Sequence, residues 1–298
     1  MDTSYKISIA IPTYNRADLL LRAVNSCLSQ TYSNIEVIVS DNCSSDNSID
    51  ILRQINDPRL FIHTNKSNIG MKLNFQKCLN SSNGHLFLLL SDDDYFMSSS
   101  ALEQFVVEFD KTEAKILISS VMLERAAGLS PGKYEQVKSD SDFLIKYFSN
   151  DISVFPCATM FDMTCLIDEK YNYDELTLSV DAFLLIKVIE KYKGNAVHFF
   201  DGKLIAYKIH NSESSADYKV WQKDLEFLKT HITKSTIVDK GKIAKALTES
   251  IDRAILGYLA RKYKKKGITF SFLSDFIFSL GKIIKFSNLL FIFRRFFL

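Results

Sequence analysis

The sequence predicts an α/β fold, a mostly parallel sheet with helices on both faces, followed by a mostly helical C-terminal region. Three observations predict it. Over the first hundred residues, short apolar runs alternate with segments of helical periodicity, and such alternation marks a parallel sheet covered on both sides. The apolar runs are nearly continuous, as strands buried on both faces are. Residues 217–265 then read as mostly helical.

The elements follow in order. Residues 7–11 read as a strand that stops at Pro12. Residues 17–30 read as a helix, with Leu20, Val24 and Leu28 at helical spacing. A second strand, 35–40, ends at Asp41, and a helix over 44–55 opens with Ser and Asp capping candidates. Residues 61–64 form a short strand, 70–80 a helix, and 85–91 the strand that runs into three aspartates. Residues 101–110 read as helix and 115–123 as strand, while 124–140 look like loop, with Gly128, Pro131 and Gly132. Helices at 142–148 and 181–192 and a strand near 196–200 complete the pattern. Ligands of such sheets bind at the carboxyl ends of the strands, so Asp41 and the aspartate triplet are expected to face one crevice.

The chain has 298 residues, 47% of them hydrophobic and 24% charged, which fits one large domain or one domain with an appendage. Its five cysteines (Cys27, Cys43, Cys78, Cys157, Cys165) are odd in number and never spaced C-x-x-C. That argues against a disulfide framework or a zinc site and for a reducing compartment. The N-terminus shows no basic segment followed by an apolar core, so no signal peptide is expected.

The net charge of +2 hides an asymmetry. Residues 261–298 carry nine Lys/Arg and one acid, Asp275; residues 1–260 carry 28 basic and 34 acidic side chains. Basic charge confined to a tail is not a nucleic-acid-binding face, so no nucleic-acid partner is expected. Residues 268–298 hold nine of the 23 Phe, with Leu273, Ile277, Leu280 and Ile284 in a helical stripe and Lys264, Lys265 and Lys266 upstream. Charges interrupt every apolar run well short of the ~18 residues a spanning helix needs. The pattern suits a helix lying in the plane of an anionic membrane surface. Packing on the protein's own core, or a dimer contact, is the other reading.

The chemistry starts at Leu86-Phe87-Leu88-Leu89-Leu90-Ser91-Asp92-Asp93-Asp94. Carboxylates this close repel, and a cation among them relieves the repulsion. Hard oxygen ligands suit Mg²⁺ or Mn²⁺, ions that commonly complete their coordination with substrate phosphates. A solvated acidic loop is the alternative, and the apolar run before the triplet argues against it.

Four further segments accompany the triplet. They are Ile11-Pro12-Thr13-Tyr14-Asn15-Arg16, Val39-Ser40-Asp41-Asn42-Cys43-Ser44-Ser45-Asp46, Asn68-Ile69-Gly70 leading to Asn74, and a late pair: Val180-Asp181-Ala182-Phe183 with Tyr207-Lys208-Ile209-His210-Asn211-Ser212. In this order they resemble the family 2 glycosyltransferases, an inverting family with the Rossmann-like GT-A fold. The resemblance covers about residues 6–215. It implies a catalytic domain over 1–215, with a nucleotide-binding half (1–100) and an acceptor half (101–215). A helical extension over 216–265 and a basic amphipathic membrane-surface tail over 266–298 follow.

By resemblance, Pro12, Thr13, Tyr14 and Asp41 bind the nucleotide, Asp41 accepting from the N–H of a uracil ring. Asn15 and Arg16 lie where a helix begins, a place suited to anions. Taken alone, Asp41 and Asp46 could instead cap the following helix. Asn68 and Gly70 belong to the same nucleotide side, Gly70 allowing close backbone approach or starting a helix. Family members often show Asp-x-Asp-Asp at the metal strand; here Ser91 stands at the first position. Asp93 then falls on the usual metal ligand, and Asp92 or Asp94 on the ribose or a metal-bound water, with Asp92 assigned to the nucleotide and Asp94 to the metal. His210 sits in a segment similar to one whose His contacts metal or phosphate.

The family often has Glu-Asp at the acceptor site, the Asp acting as base. This chain has Val180-Asp181, which keeps the base and lacks the Glu; Asp174 and Glu175 are reserves. An N-cap role also fits Asp181. The Gln-x-x-Arg-Trp motif of processive synthases is not found, so one sugar per acceptor is expected. The resemblance thus implies a UDP-linked sugar donor, Mn²⁺ or Mg²⁺, and a polyprenyl-diphosphate-linked saccharide acceptor. The expected place is the cytoplasmic face of the bacterial inner membrane, with the enzyme peripheral to it, in O-antigen or capsule synthesis. A nicotinamide dehydrogenase or P-loop enzyme would need glycines that Pro12-Thr13-Tyr14-Asn15-Arg16 lacks. A sugar nucleotidyltransferase and a non-enzymatic, membrane-docked nucleotide-binding protein are the competing readings.

Overall fold

The computed structural model describes residues 5–167, 176, 179–209 and 218–264. The chain forms two compact units, one of Met1–Tyr173 with Asp181–Glu213, the other of Asp174–Val180 with Ser214–Leu298.

The first unit begins with β1 (Ile7–Thr13), α1 (Ala17–Leu28), β2 (Ile35–Asp41), α2 (Ser48–Leu52), β3 (Leu60–Thr64), α3 (Met71–Asn80), β4 (Leu86–Leu89), β5 (Tyr95–Phe96) and α4 (Ala101–Asp110). It continues with β6 (Ile116–Arg125), β7 (Gly128–Pro131), α5 (Asp140–Ser149), a 3-10 turn (Pro156–Ala158), β8 (Thr159–Asp162), α6 (Met163–Ile167), α7 (Val180–Tyr192) and β9 (Val197–Lys208).

All described strands join one sheet in the order β3-β2-β1-β4-β8-β6-β9-β5, with β7 hairpinned onto β6. The first four in that order are parallel, as expected. Beyond them the sheet is mixed: β8 runs antiparallel to both β4 and β6, and β5 runs antiparallel to β9. Two antiparallel steps through β8 restore direction, so β6 points the same way as β4, and β9 is parallel to β6. The carboxyl ends of β1, β2, β4, β6 and β9 therefore share one edge of the sheet. The register is direct: Thr13 lies opposite Asp41, Ala10 opposite Leu89, and Glu124 opposite Lys208.

Burial explains why these segments are strands. β1 and β2 are buried along nearly their whole length, and Ile7, Ile9, Ile11, Val37, Val39, Leu86 and Leu88 fill one core. Each such side chain contributes about 1.5–3 kcal/mol through burial. α1 presents Leu20, Ala23, Val24 and Cys27 to that core, and α4 presents Leu102, Phe105 and Val106. Gly84 lets the chain pass tightly beside β1, since a Cβ there would stand 2.6 Å from the Ser8 nitrogen.

Three local differences from expectation have physical causes. The helix expected over 44–55 shrinks to Ser48–Leu52, because Asp41 takes the Ser44 N–H and Asp46 takes the Ser48 N–H into turns. The loop expected over 124–140 contains β7, a short strand made by pairing with β6. The strand expected near 196–200 extends to Lys208, with a register shift opposite Ser119 and Val121.

In the second unit, α8 (Tyr218–Lys234) and α9 (Lys240–Lys264) pack on each other. Leu225, Leu228, Ile232, Ile243, Leu247 and Ile251 are buried there. Asp224, fully buried on α8, accepts the Ser179 N–H at 2.8 Å. No helix among the described residues is long and apolar enough to cross a membrane. The basic tail over 266–298 lies outside the described residues, as do His210, Asp174 and Glu175.

Candidate active site

The shared carboxyl edge gathers most of the expected residues. After β4, the chain keeps alongside β1 for one more bond, Leu90 N–H to Ala10 O at 2.9 Å, and then turns, Asp94 N–H reaching Ser91 O at 3.1 Å. This turn sets the triplet beside the end of β1. Thr13 Oγ1 donates to Asp92 Oδ2 at 2.8 Å. Arg16 Nη1 lies between two carboxylates, 3.2 Å from Asp92 Oδ1 and 2.5 Å from Asp93 Oδ2. Arg22, one and a half turns along α1, donates to the main-chain carbonyl of Asp93 at 2.8 Å. The same guanidinium forks onto Glu124 Oε1 and Oε2 at 2.9 and 3.1 Å and lies over the Tyr95 ring.

Asp94 is tied to the end of β9. Its Oδ1 accepts the main-chain N–H of Lys208 at 2.9 Å, at the end of β9. Its Oδ2 is buried without a hydrogen-bond partner. Burial pushes its carboxyl up to about 7, against the pull of the Lys208 N–H. Burial also raises Asp92, with Thr13 and Arg16 opposing.

The residues expected to hold the nucleotide form one hydrogen-bonded set. Asn15, in the left-handed region at φ 54°, donates its N–H to Ser44 Oγ and accepts the Ser45 N–H at 2.7 Å. Asp41 is fully buried and accepts the Ser44 N–H through both oxygens at 3.1 and 3.2 Å. Asn42 donates its N–H to Thr13 O and its side-chain amide to Asn68 Oδ1, while its Oδ1 accepts from Ile69 N–H and Asn65. Asn74 closes the set on Ser40 and Asn65. Gly70 precedes α3 at φ +81°, a backbone conformation that favours glycine, and open space surrounds its missing Cβ. Asp46 binds the N–H groups of Ala17 and Ser48, the capping role. Tyr14 is 45% exposed at the mouth of this set, and Pro12 stays in the β1 ladder opposite Ser40.

Asp181 stands half-buried in the first turn of α7. Tyr207 is near enough to feel the charge of both Asp181 and the triplet. Its hydroxyl is pushed up to about 12, by burial first and then by Asp94, Cys157, Asp93 and Asp181. Its ring stacks on Phe155, with centroids 3.8 Å apart. Arg22, Glu124 and Cys157 are the participants that the sequence did not single out.

Among the described residues, no three His, Cys, Asp or Glu side chains stand in a metal-ligating group. The donor chemistry nonetheless fits a hard divalent ion: adjacent buried carboxylates, one with an orphaned oxygen, and backbone bonds that hold them in place.

Comparison places this architecture. The fold is that of the GT-A transferases. It superposes on Staphylococcus aureus TarS 1-349, solved in complex with UDP-GlcNAc, with a TM-score of 0.70 at 16% identity, over 93% of this chain and 80% of that one. It also superposes on the mannosyltransferase PcManGT from Pyrobaculum calidifontis, solved with GDP-Man and Mn²⁺, with a TM-score of 0.58 at 13% identity, over 98% and 84% of the two chains.

The chain belongs to glycosyl transferase family 2, whose family model matches residues 8–166. Two relatives are bacterial glucosyltransferases. The UDP-Glc:α-D-GlcNAc-diphosphoundecaprenol β-1,3-glucosyltransferase WfaP of Escherichia coli is 35% identical over 107 residues, 36% of this chain and 42% of the relative. The GalNAc(5)-diNAcBac-PP-undecaprenol β-1,3-glucosyltransferase of Campylobacter jejuni is 29% identical over 189 residues, 60% of each. The chain thus spans between two and three fifths of these relatives' length.

Proposed function

We propose that this chain is an inverting glycosyltransferase. It moves one sugar from a UDP-linked donor to a hydroxyl of a polyprenyl-diphosphate-linked saccharide, in bacterial surface-polysaccharide synthesis. The observation that carries this reading is the joining of Thr13, Arg16, Asp92 and Asp93 into one hydrogen-bonded group at the carboxyl edge of a family 2 domain. The two relatives' names supply the substrate class.

The roles follow from position. Tyr14 is exposed where an aromatic base can pack on it. Asp41 keeps lone pairs beyond those that Ser44 uses, so a ring N–H can be a further donor. Asn15 and Arg16, at the start of α1, face the diphosphate. Asn42, with Asn65, Asn68 and Asn74, holds the loop before α3 against that pocket. Asp93 and Asp94, with His210, would hold Mn²⁺ or Mg²⁺, and Asp92 would hold the ribose. The bound ion supplies positive charge for the leaving diphosphate.

Asp181 takes the proton of the acceptor hydroxyl as its oxygen attacks the anomeric carbon. The bond from that carbon to the diphosphate oxygen breaks, and nucleoside diphosphate leaves. A single displacement inverts the anomeric centre. The basic, Phe-rich tail over 266–298 would rest the enzyme on the cytoplasmic membrane face, where such an acceptor lies.

The test is release of nucleoside diphosphate from a panel of nucleotide sugars, UDP-glucose first, with Mn²⁺ or Mg²⁺ and with or without a lipid-diphosphate sugar acceptor. Acceptor- and metal-dependent release from one donor, lost in Asp93→Asn and reduced by a factor of about 10²–10⁴ in Asp181→Asn, supports the assignment. Full release in Asp181→Asn moves the base elsewhere. No release and no binding of any donor overturns the enzymatic reading.

A further inference from the structure

We propose that Arg16 is a built-in counter-ion: it holds Asp92 and Asp93 until the donor arrives, and a divalent cation can settle on these carboxylates only as Arg16 moves to the donor's diphosphate. This deepens the proposed function and rests on it.

The geometry is asymmetric in a telling way. A single nitrogen, Arg16 Nη1, touches Asp92 Oδ1 at 3.2 Å and Asp93 Oδ2 at 2.5 Å. The two carboxylates are buried and anchored. Asp92 is bonded to Thr13, and Asp93 has its main chain held by Arg22. The Arg16 side chain, by contrast, is 44% exposed. It belongs to the residue just before α1. Arg16 can therefore leave by rotating its own side chain, whereas the carboxylates cannot follow it without opening the core.

Charge makes the exchange necessary. Adjacent buried carboxylates require a cation, and Arg16 supplies one. A divalent ion on the same oxygens would meet the guanidinium at contact range, where like charges in a buried site repel strongly. A diphosphate resolves the conflict, since its oxygens match the guanidinium fork and it sits at the start of α1, where anions are favoured. Nucleotide and metal then raise each other's affinity, and by the same factor. Metal alone binds weakly because it must displace Arg16 into water.

The experiment titrates Mn²⁺ into the purified full chain and follows the free ion by electron paramagnetic resonance, with no nucleotide and then with saturating UDP. Wild type is compared with Arg16→Met, Arg16→Lys and Asp93→Asn. Without UDP, Arg16→Met is expected to bind Mn²⁺ about tenfold more tightly than wild type, with Arg16→Lys between them. UDP should tighten Mn²⁺ binding more in wild type than in Arg16→Met, and Asp93→Asn should weaken it in every condition. Arg16→Met no tighter than wild type without UDP, or an equal gain from UDP in both, overturns the exchange while leaving the proposed function intact. Wild type that binds no Mn²⁺ even with UDP overturns the exchange and the metal assignment together.

Discussion

Arg22 donates to the main-chain carbonyl of Asp93 at 2.8 Å. The bond holds the residue through its main chain, without touching the carboxylate that Arg16 engages. The rest of the guanidinium forks onto Glu124, 102 positions away, which ties α1 to the end of β6.

Removing that brace should loosen both the fold and the triplet. Arg22→Met is expected to lower stability by about 2 kcal/mol, the scale of charged hydrogen bonds lost from a part-buried site. Urea unfolding measures it. A double-mutant cycle with Glu124→Gln should show coupling of about 1 kcal/mol, and zero coupling would mean that the fork is ornamental.

Asn42 is the hub of the nucleotide side. Asn42→Ala leaves the Ile69 N–H and the Asn68 and Asn65 amides short of a partner in a part-buried place. The expected outcome is a loss of about 1–3 kcal/mol in stability. The KM for donor should also rise while kcat is nearly kept, since the triplet follows β4 and Asp181 opens α7, away from Asn42 in the chain. Steady-state kinetics against donor decides it, and a fall confined to kcat would contradict the assignment.

Acid stability should depend on Glu36. Burial raises its carboxyl, but bonds from Lys6, Ser8 and the Asn83 N–H win and hold it below its ordinary value. A lowered folded value means that its stabilisation is complete above the unfolded value of about 4.3 and is lost as pH falls through the folded value. Glu36→Gln should therefore be less stable at pH 7, with the difference shrinking below about pH 4. Melting curves that stay parallel across this range would contradict it.

Gly84→Ala tests the close approach to β1. Its Cβ would meet the Ser8 nitrogen at 2.6 Å and the Lys6 oxygen at 2.7 Å, both main-chain atoms. Such overpacking costs about 1–3 kcal/mol, and thermal unfolding should show it directly.

The parallel half of the fold was legible because β1, β2 and the stretch 86–90 around β4 are nearly continuous buried apolar runs, a signal that needs no partner to be seen. β8 has four residues and β5 two, and each becomes a strand through the ladders that meet it: Phe161 opposite Phe87, Ala206 opposite Tyr95. No local pattern encodes that. In the site, Arg16 and the triplet were visible because strand-to-helix turns carry polar residues in fixed places. Arg22 was not, since its charge sits among Leu20, Leu21 and Ala23 and its meaning lies in distant Glu124. The shortened α2 shows the reverse: the Ser and Asp capping candidates suggest a helix from 44, and bonds to Asp41 and Asp46 hold turns that delay it to Ser48.

Lys208 reaches Asp94 through its main chain. Every amino acid except proline carries the same N–H group. The identity of residue 208 is thus free of the carboxylate that it steadies, and a change of side chain there leaves the anchor in place. Descendants of this chain can redecorate the end of β9, and with it the surface beside the crevice, without disturbing the aspartates. The anchor and the side chain are separate atoms of one residue, and only the side chain is open to mutation.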